Sequence, residues 1–193
     1  MTIFDLLFLA LVVISLGAWL FVIAAAVRGQ KARALRIARN LAIAAAAYLA
    51  IVLIVAVRAP QRVLQVGDPW CFDDWCLRVD HVSRTAGPSQ ATYTVSLNVF
   101  SRALRVSQRA KGAWVYLMDA RGNRYAPEPD RGAVPLDVRL EPGESIETSR
   151  VFRVPADAGP MGLITGHGPA WLPAFIIGDE GSPFHKPTFV RLE

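Results

Sequence analysis

Two long stretches without a charge constrain this chain more than anything else in it. Leu6–Val27 is a run of 22 consecutive uncharged residues, and Asn40–Val57 is a run of 18. At about 1.5 Å of rise per residue each reaches roughly 27–33 Å as a helix, matching a hydrocarbon core of about 30 Å. Lipid offers no water to a backbone N–H or C=O, so such runs must satisfy their own hydrogen bonds as helices. Neither carries a polar face, which argues against a pair of core helices in a soluble fold. The other reading of the first run is a cleaved signal peptide, with Ala24-Ala25-Ala26 as the cleavage site. Signal peptides open on basic residues and hold an apolar region of about 7–15 residues. Here Met1–Phe4 contains no Lys or Arg, Asp5 is acidic, and the apolar region is longer. The expectation is a retained transmembrane hairpin over residues 1–60, with helices at about 3–27 and 40–57 and a basic loop at 28–39. Ala42, Ala46 and Ala50, and Ala10, Gly17 and Ala24, are small-residue stripes along which two such helices could pack.

The formal net charge of +5 invites a nucleic-acid partner, and its placement excludes one. Arg28, Lys31, Arg33, Arg36 and Arg39 put five positive charges between the helices, with no negative charge among them. From Arg58 to Glu193 there are 16 basic and 15 acidic residues, a net of +1, so the rest of the chain has no phosphate-binding excess. Short basic segments stay in the cytoplasm, and beyond the second helix only Arg58 and Arg62 compete. The connection is therefore expected inside, facing anionic head groups, and both termini outside. Only three of the 21 basic residues are Lys, which with abundant Ala, Gly and Pro points to a GC-rich bacterium. The expected location is the bacterial inner membrane, as a multi-pass protein with the lipid bilayer as partner.

After Val57 the pattern changes to short alternating runs separated by Gly, Pro and Asp. In Ala91–Ser101, Tyr93, Val95, Leu97 and Val99 alternate with polar residues, the signature of a strand with one buried face. Further strands are expected at Leu77–Ser83, Ala113–Asp119, Arg124–Ala126, Leu136–Leu140, Ser145–Val154, Gly162–Thr165, Phe175–Ile177 and Thr188–Leu192. Turns fall at Gly87-Pro88, at Ala120-Arg121-Gly122-Asn123 and at Glu141-Pro142-Gly143-Glu144. So many short strands in this length imply an antiparallel, immunoglobulin-like β-sandwich, an extracytoplasmic domain over 61–193.

Several of these pieces, taken in order, resemble a known family. They are Tyr93–Val99, Val115–Tyr125 with its Arg121-Gly122-Asn123-Arg124-Tyr125 hairpin, Leu140-Glu141-Pro142-Gly143-Glu144-Ser145, and Val151-Phe152-Arg153-Val154-Pro155. Cys76–Leu192 resembles the telokin-like, immunoglobulin-fold domains of bacterial envelope lipoproteins, a family without an assigned function. The resemblance implies a fold and no catalytic residue. The chain departs from it in carrying two helices where the family has a lipidated cysteine.

Cys71 and Cys76 are the two cysteines, spaced C-x4-C and flanked by Trp70, Phe72 and Trp75. Outside the cytoplasm such a pair is expected to form a disulfide, with Asp73 and Asp74 at the tip of the turn. A metal site and a redox-active pair are the alternatives, although a thioredoxin-like motif would need C-x-x-C. Two helices followed by a β-sandwich is also the plan of cytochrome oxidase subunit II. Its copper ligands cluster near the C-terminus, whereas here the cysteines open the domain and His167, His185 and Met161 lie far off in sequence; only His81 is near. Asp68, Asp73, Asp74 and Asp80 form an acidic patch without the spacing of a calcium loop. His167 and His185 sit in turn-like settings. There is no P-loop, no G-x-S-x-G elbow and no H-E-x-x-H. The expected function is non-enzymatic: an envelope protein whose sandwich contacts other envelope or membrane proteins, without cofactor or metal. The alternative is a metal-binding or electron-transfer accessory protein using Cys71, Cys76 and His81.

Overall fold

In the computed structural model both apolar runs are helical: α1 spans Ile3–Val27 and α2 spans Lys31–Arg58. The structure describes residues 3–168, 173–178 and 182–192. α1 stops where Gly29 adopts a left-handed φ of 76°. Gln30 N–H then donates to Ala25 O at 2.9 Å and Gly29 N–H to Ala26 O at 3.0 Å, the paired bonds of a Schellman ending. The expected basic loop at 28–39 shrinks to the turn Arg28–Gln30, and α2 starts at Lys31 rather than Asn40. Lys, Ala, Arg and Leu are all good helix formers, and nothing between Gly29 and Pro60 breaks the helix. Both helices are long and apolar enough to cross a membrane. Ala42, Ala46 and Ala50 are exposed; the buried residues of the pair are Ala25, Ala34, Val52 and Ala56.

The chain divides into two compact units, one holding the helices with 170–186 and the other holding 61–169 with 187–193. The second unit is a β-sandwich. Its strands are β1 (Val63–Leu64), β2 (Pro69–Phe72), β3 (Trp75–Ala86), β4 (Gln90–Ser101), β5 (Trp114–Asp119), β6 (Arg124–Tyr125), β7 (Ser145–Pro155), β8 (Met161–Gly166) and β9 (Phe189–Arg191). One sheet runs β1-β9-β8-β5-β6 and the other β2-β3-β4-β7. Among the described residues every strand pairing is antiparallel except β1 with β9, which is parallel and joins the two ends of the unit.

The core follows from alternation. Along β4, Ala91, Tyr93, Val95, Leu97 and Val99 are buried, and they meet Leu117, Leu163 and Val190 of the facing sheet. Each large apolar side chain so buried contributes roughly 1.5–3 kcal/mol. In β3 the phase breaks: Leu77 and Val79 face inward, then a bulge at Asp80 shifts the register. Val82 packs against the core and His81 is left exposed, the reverse of strict alternation. Two expected strands are absent. Leu136–Leu140 contributes only an isolated bridge between Gln108 and Leu140. Phe175–Ile177 forms no strand; a 3-10 turn occupies Pro173–Phe175, in the unit with the helices.

Candidate protein-contact surface

The second sheet opens with a two-residue hairpin. Cys71 and Cys76 face each other across β2 and β3, with Cα atoms 4.0 Å apart, and are joined by a disulfide. Asp73, at φ 48°, and Asp74 form its exposed tip, a backbone state that Asp tolerates. Trp70 and Trp75 are each 2% exposed, and Phe72 packs edge-on against the His167 ring at 4.1 Å. Closing this short loop contributes about 2 kcal/mol in the chain-entropy account.

The metal alternative does not assemble. Its two sulfurs are bonded to each other, and His81 lies five residues along β3 from Cys76, roughly 16 Å away at strand rise. Nor does the acidic patch converge. Asp68 accepts from Gln65 N–H at 2.9 Å, Asp80 pairs with Arg78, and Asp73 and Asp74 stand at the hairpin tip. Among the described residues no group of three or more His, Cys, Asp or Glu is placed to hold a metal ion. His185 sits in a turn, its N–H donating to Ser182 O at 3.1 Å.

Asp119 is 3% exposed, the one buried carboxylate among the described residues, and its role is to close the β5–β6 turn. Oδ1 accepts from the backbone N–H of Arg121 and Asn123, both at 2.9 Å. Oδ2 accepts from Asn123 Nδ2 at 2.8 Å and from the Tyr125 hydroxyl at 3.0 Å. Burial opposes ionisation of Asp119, but the bonds from Asn123, Tyr125 and Arg121 outweigh it and hold the carboxyl below the usual range. Burial and the Asp119 charge push the Tyr125 phenol up. A carboxylate engaged on both oxygens by four donors is a structural lock and has no free lone pair aimed at a substrate.

Because β6 is only two residues long, it covers β5 only at Leu117 and Met118. Among the described residues no strand pairs with the other edge at Trp114–Tyr116, while β8 pairs with the full strand on the opposite side. Beside the open edge lies a groove of about 550 Å³ walled by Pro127, Pro135, Leu136, Asp137 and Arg150. Trp114 and Tyr116, two residues apart, share the outer face, with rings 5.3 Å apart and within 12° of parallel. Trp114 lies flat because its partner residue is Gly166: any Cβ there would run into the indole. The Arg124 guanidinium covers the Tyr116 ring from 5.1 Å. Trp114 remains 43% exposed. Arg150 donates to Val134 O at 2.8 Å and to Thr148 Oγ1 at 2.7 Å; burial pulls its pKa down from the ordinary guanidinium value, against the attraction of Asp130. The result is an aromatic, strand-shaped surface with a positive group at its rim. Neither the open edge nor the groove was visible in the sequence, since both depend on where β6 stops.

No family model matches the chain, and no curated protein matches it. Among solved structures it is similar to an uncharacterized β-sandwich protein of Clostridium difficile, at 8% identity over 70% of this chain and 98% of that one, TM-score 0.43. It is also similar to the secreted protein MPT63 of Mycobacterium tuberculosis, at 12% identity over 70% and 98%, TM-score 0.43. A third is the yjhA protein of Bacillus subtilis, at 11% identity over 67% and 99%, TM-score 0.43.

Proposed function

We propose that this chain is a membrane-anchored protein of a bacterial envelope whose sandwich is a non-catalytic, immunoglobulin-like module of the telokin-like kind, used for protein contacts. α1 and α2 cross the inner membrane as a hairpin, with the turn Arg28–Gln30 in the cytoplasm and both termini and the sandwich outside. At 28 residues α2 is about 42 Å long, more than the hydrocarbon core needs. The surplus is its basic start, where Lys31, Arg33, Arg36 and Arg39 reach the cytoplasmic head groups. An oxidising exterior also suits the Cys71–Cys76 disulfide.

The observation that carries the contact reading is the open edge of Trp114–Tyr116 beside its groove. An unpaired strand edge is a template for a further strand. The partner that fits is an extended segment of another envelope protein, bonding to the β5 backbone and seating alternate side chains beside Tyr116 and Arg150. The test is photo-crosslinking of the full-length protein in native membranes, with the reactive residue at Tyr116 or Pro135 and, as control, at exposed Asp157. A discrete adduct from the two groove positions and none from Asp157 is expected. No adduct from either groove position, or the same adduct from Asp157, would refute the contact surface.

A further inference from the structure

Residues 169–178, between β8 and β9, run ten positions without a charge and end at Asp179-Glu180. Their described part, 173–178, falls in one compact unit with α1 and α2. A single 3-10 turn, Pro173–Phe175, leaves the carbonyls around its end without helical partners. Two of them are met by side-chain hydroxyls. The Tyr48 hydroxyl donates to Phe175 O at 2.8 Å, and Ser182 Oγ, on a residue 4% exposed, donates to Ile176 O at 2.9 Å. Ile176 and Ile177 are half-buried, while Phe175 is 40% exposed and Phe184, in the turn that follows, 76%. Carbonyls met by protein hydroxyls beside exposed phenyl rings suit a loop in lipid better than a loop in water. Irregular backbone persists at membrane depth only where protein supplies its hydrogen-bond partners.

Tyr48 fixes the depth. It lies eight residues after Asn40 and nine before Val57, about 12–14 Å from either end of the apolar span. We propose that the segment at 173–178 is a re-entrant, membrane-embedded element held against the middle of α2, with the acyl chains of the bilayer as its partner. This rests on the hairpin reading above. It makes the anchor a three-part unit in which the chain, having left the membrane for the sandwich, returns to it before closing β9.

Cysteine accessibility of the full-length protein in phospholipid vesicles tests this, with the native cysteines locked in their disulfide and the unsubstituted protein as blank. Phe175→Cys and Ile177→Cys are compared with Ile14→Cys in α1 and with Leu104→Cys in the sandwich, where Leu104 is 91% exposed. An impermeant maleimide should label Leu104→Cys readily and leave the other three unlabelled until the vesicles are dissolved in detergent. A fluorophore on Phe175→Cys should then be quenched by a spin label deep on the acyl chain more than by one at the head group. If Ile14→Cys is protected while both segment cysteines label like Leu104→Cys, the re-entrant element is refuted and the hairpin stands. If Ile14→Cys labels too, both are refuted. Protection without quenching by the deep label would also overturn the proposal, since burial in protein would then account for it.

Discussion

Gly166→Ala tests whether Trp114 lies where the contact surface requires. The two residues are direct partners across β5 and β8, and the indole occupies the space a Cβ at 166 would take. The methyl must push the ring off the strand. Forcing an extra methyl into packed space costs about 1–3 kcal/mol, and part of that is the lost stack on Tyr116, worth about 0.5–1.5 kcal/mol for an aromatic pair. Trp114→Ala alone should cost the stacking energy plus the apolar burial of a ring that is 43% exposed. With the ring gone, the three atoms nearest that methyl are gone too, and replacing glycine within a strand is even mildly favourable. The double variant should therefore be more stable than the sum of the singles predicts, by about 1–2 kcal/mol of coupling. Pulse proteolysis of the full-length protein in a urea series, following the fragment that contains the sandwich, reads each stability. Additivity to within about 0.5 kcal/mol would show that the ring does not rest on Gly166, and the aromatic surface would lose its basis.

That dependence on a glycine partner shows why the site was harder to read than the fold. The two helices were plain in the sequence because charge-free runs of that length have few other uses, and β4 because its alternation is unbroken. The basic stretch at 31–39 misled, since charge marks the side of a membrane while helix propensity decides the backbone, and both act on the same residues. Phe175–Ile177 is a three-residue apolar run, too short for periodicity to separate strand from turn. β1 gives no signal of its own, because two residues become a strand only when Phe189 and Val190 arrive from the far end of the sequence. The bulge at Asp80 reverses which way His81 faces, so spacing from Cys76 could not place it. Asp119 looked like any residue before a turn; four donors converging on it are a property of the folded hairpin.

Two further outcomes follow from the same contacts. Because Asp119 is held below its ordinary pKa, its contribution is present above the unfolded carboxylate value near ~4 and is lost as pH falls through that value to the folded one. Acid titration of sandwich stability should therefore show a steeper loss for the natural protein than for Asp119→Asn, which should be less stable at neutral pH; matching acid profiles would contradict the lock. Reduction of Cys71–Cys76 should lower stability by about 2 kcal/mol and leave the sandwich folded. Mass spectrometry of non-reduced peptides from membrane-derived protein should recover the two cysteines linked, and free thiols would contradict it.

The central claim is a membrane hairpin carrying its sandwich outside, and topology reporters test it most directly. A fluorescent protein that matures only in the cytoplasm should be bright when inserted between Gly29 and Gln30 and dark when fused after Glu193. A bright C-terminal fusion, or a dark insertion at the turn in a protein that still reaches the membrane, would contradict the account.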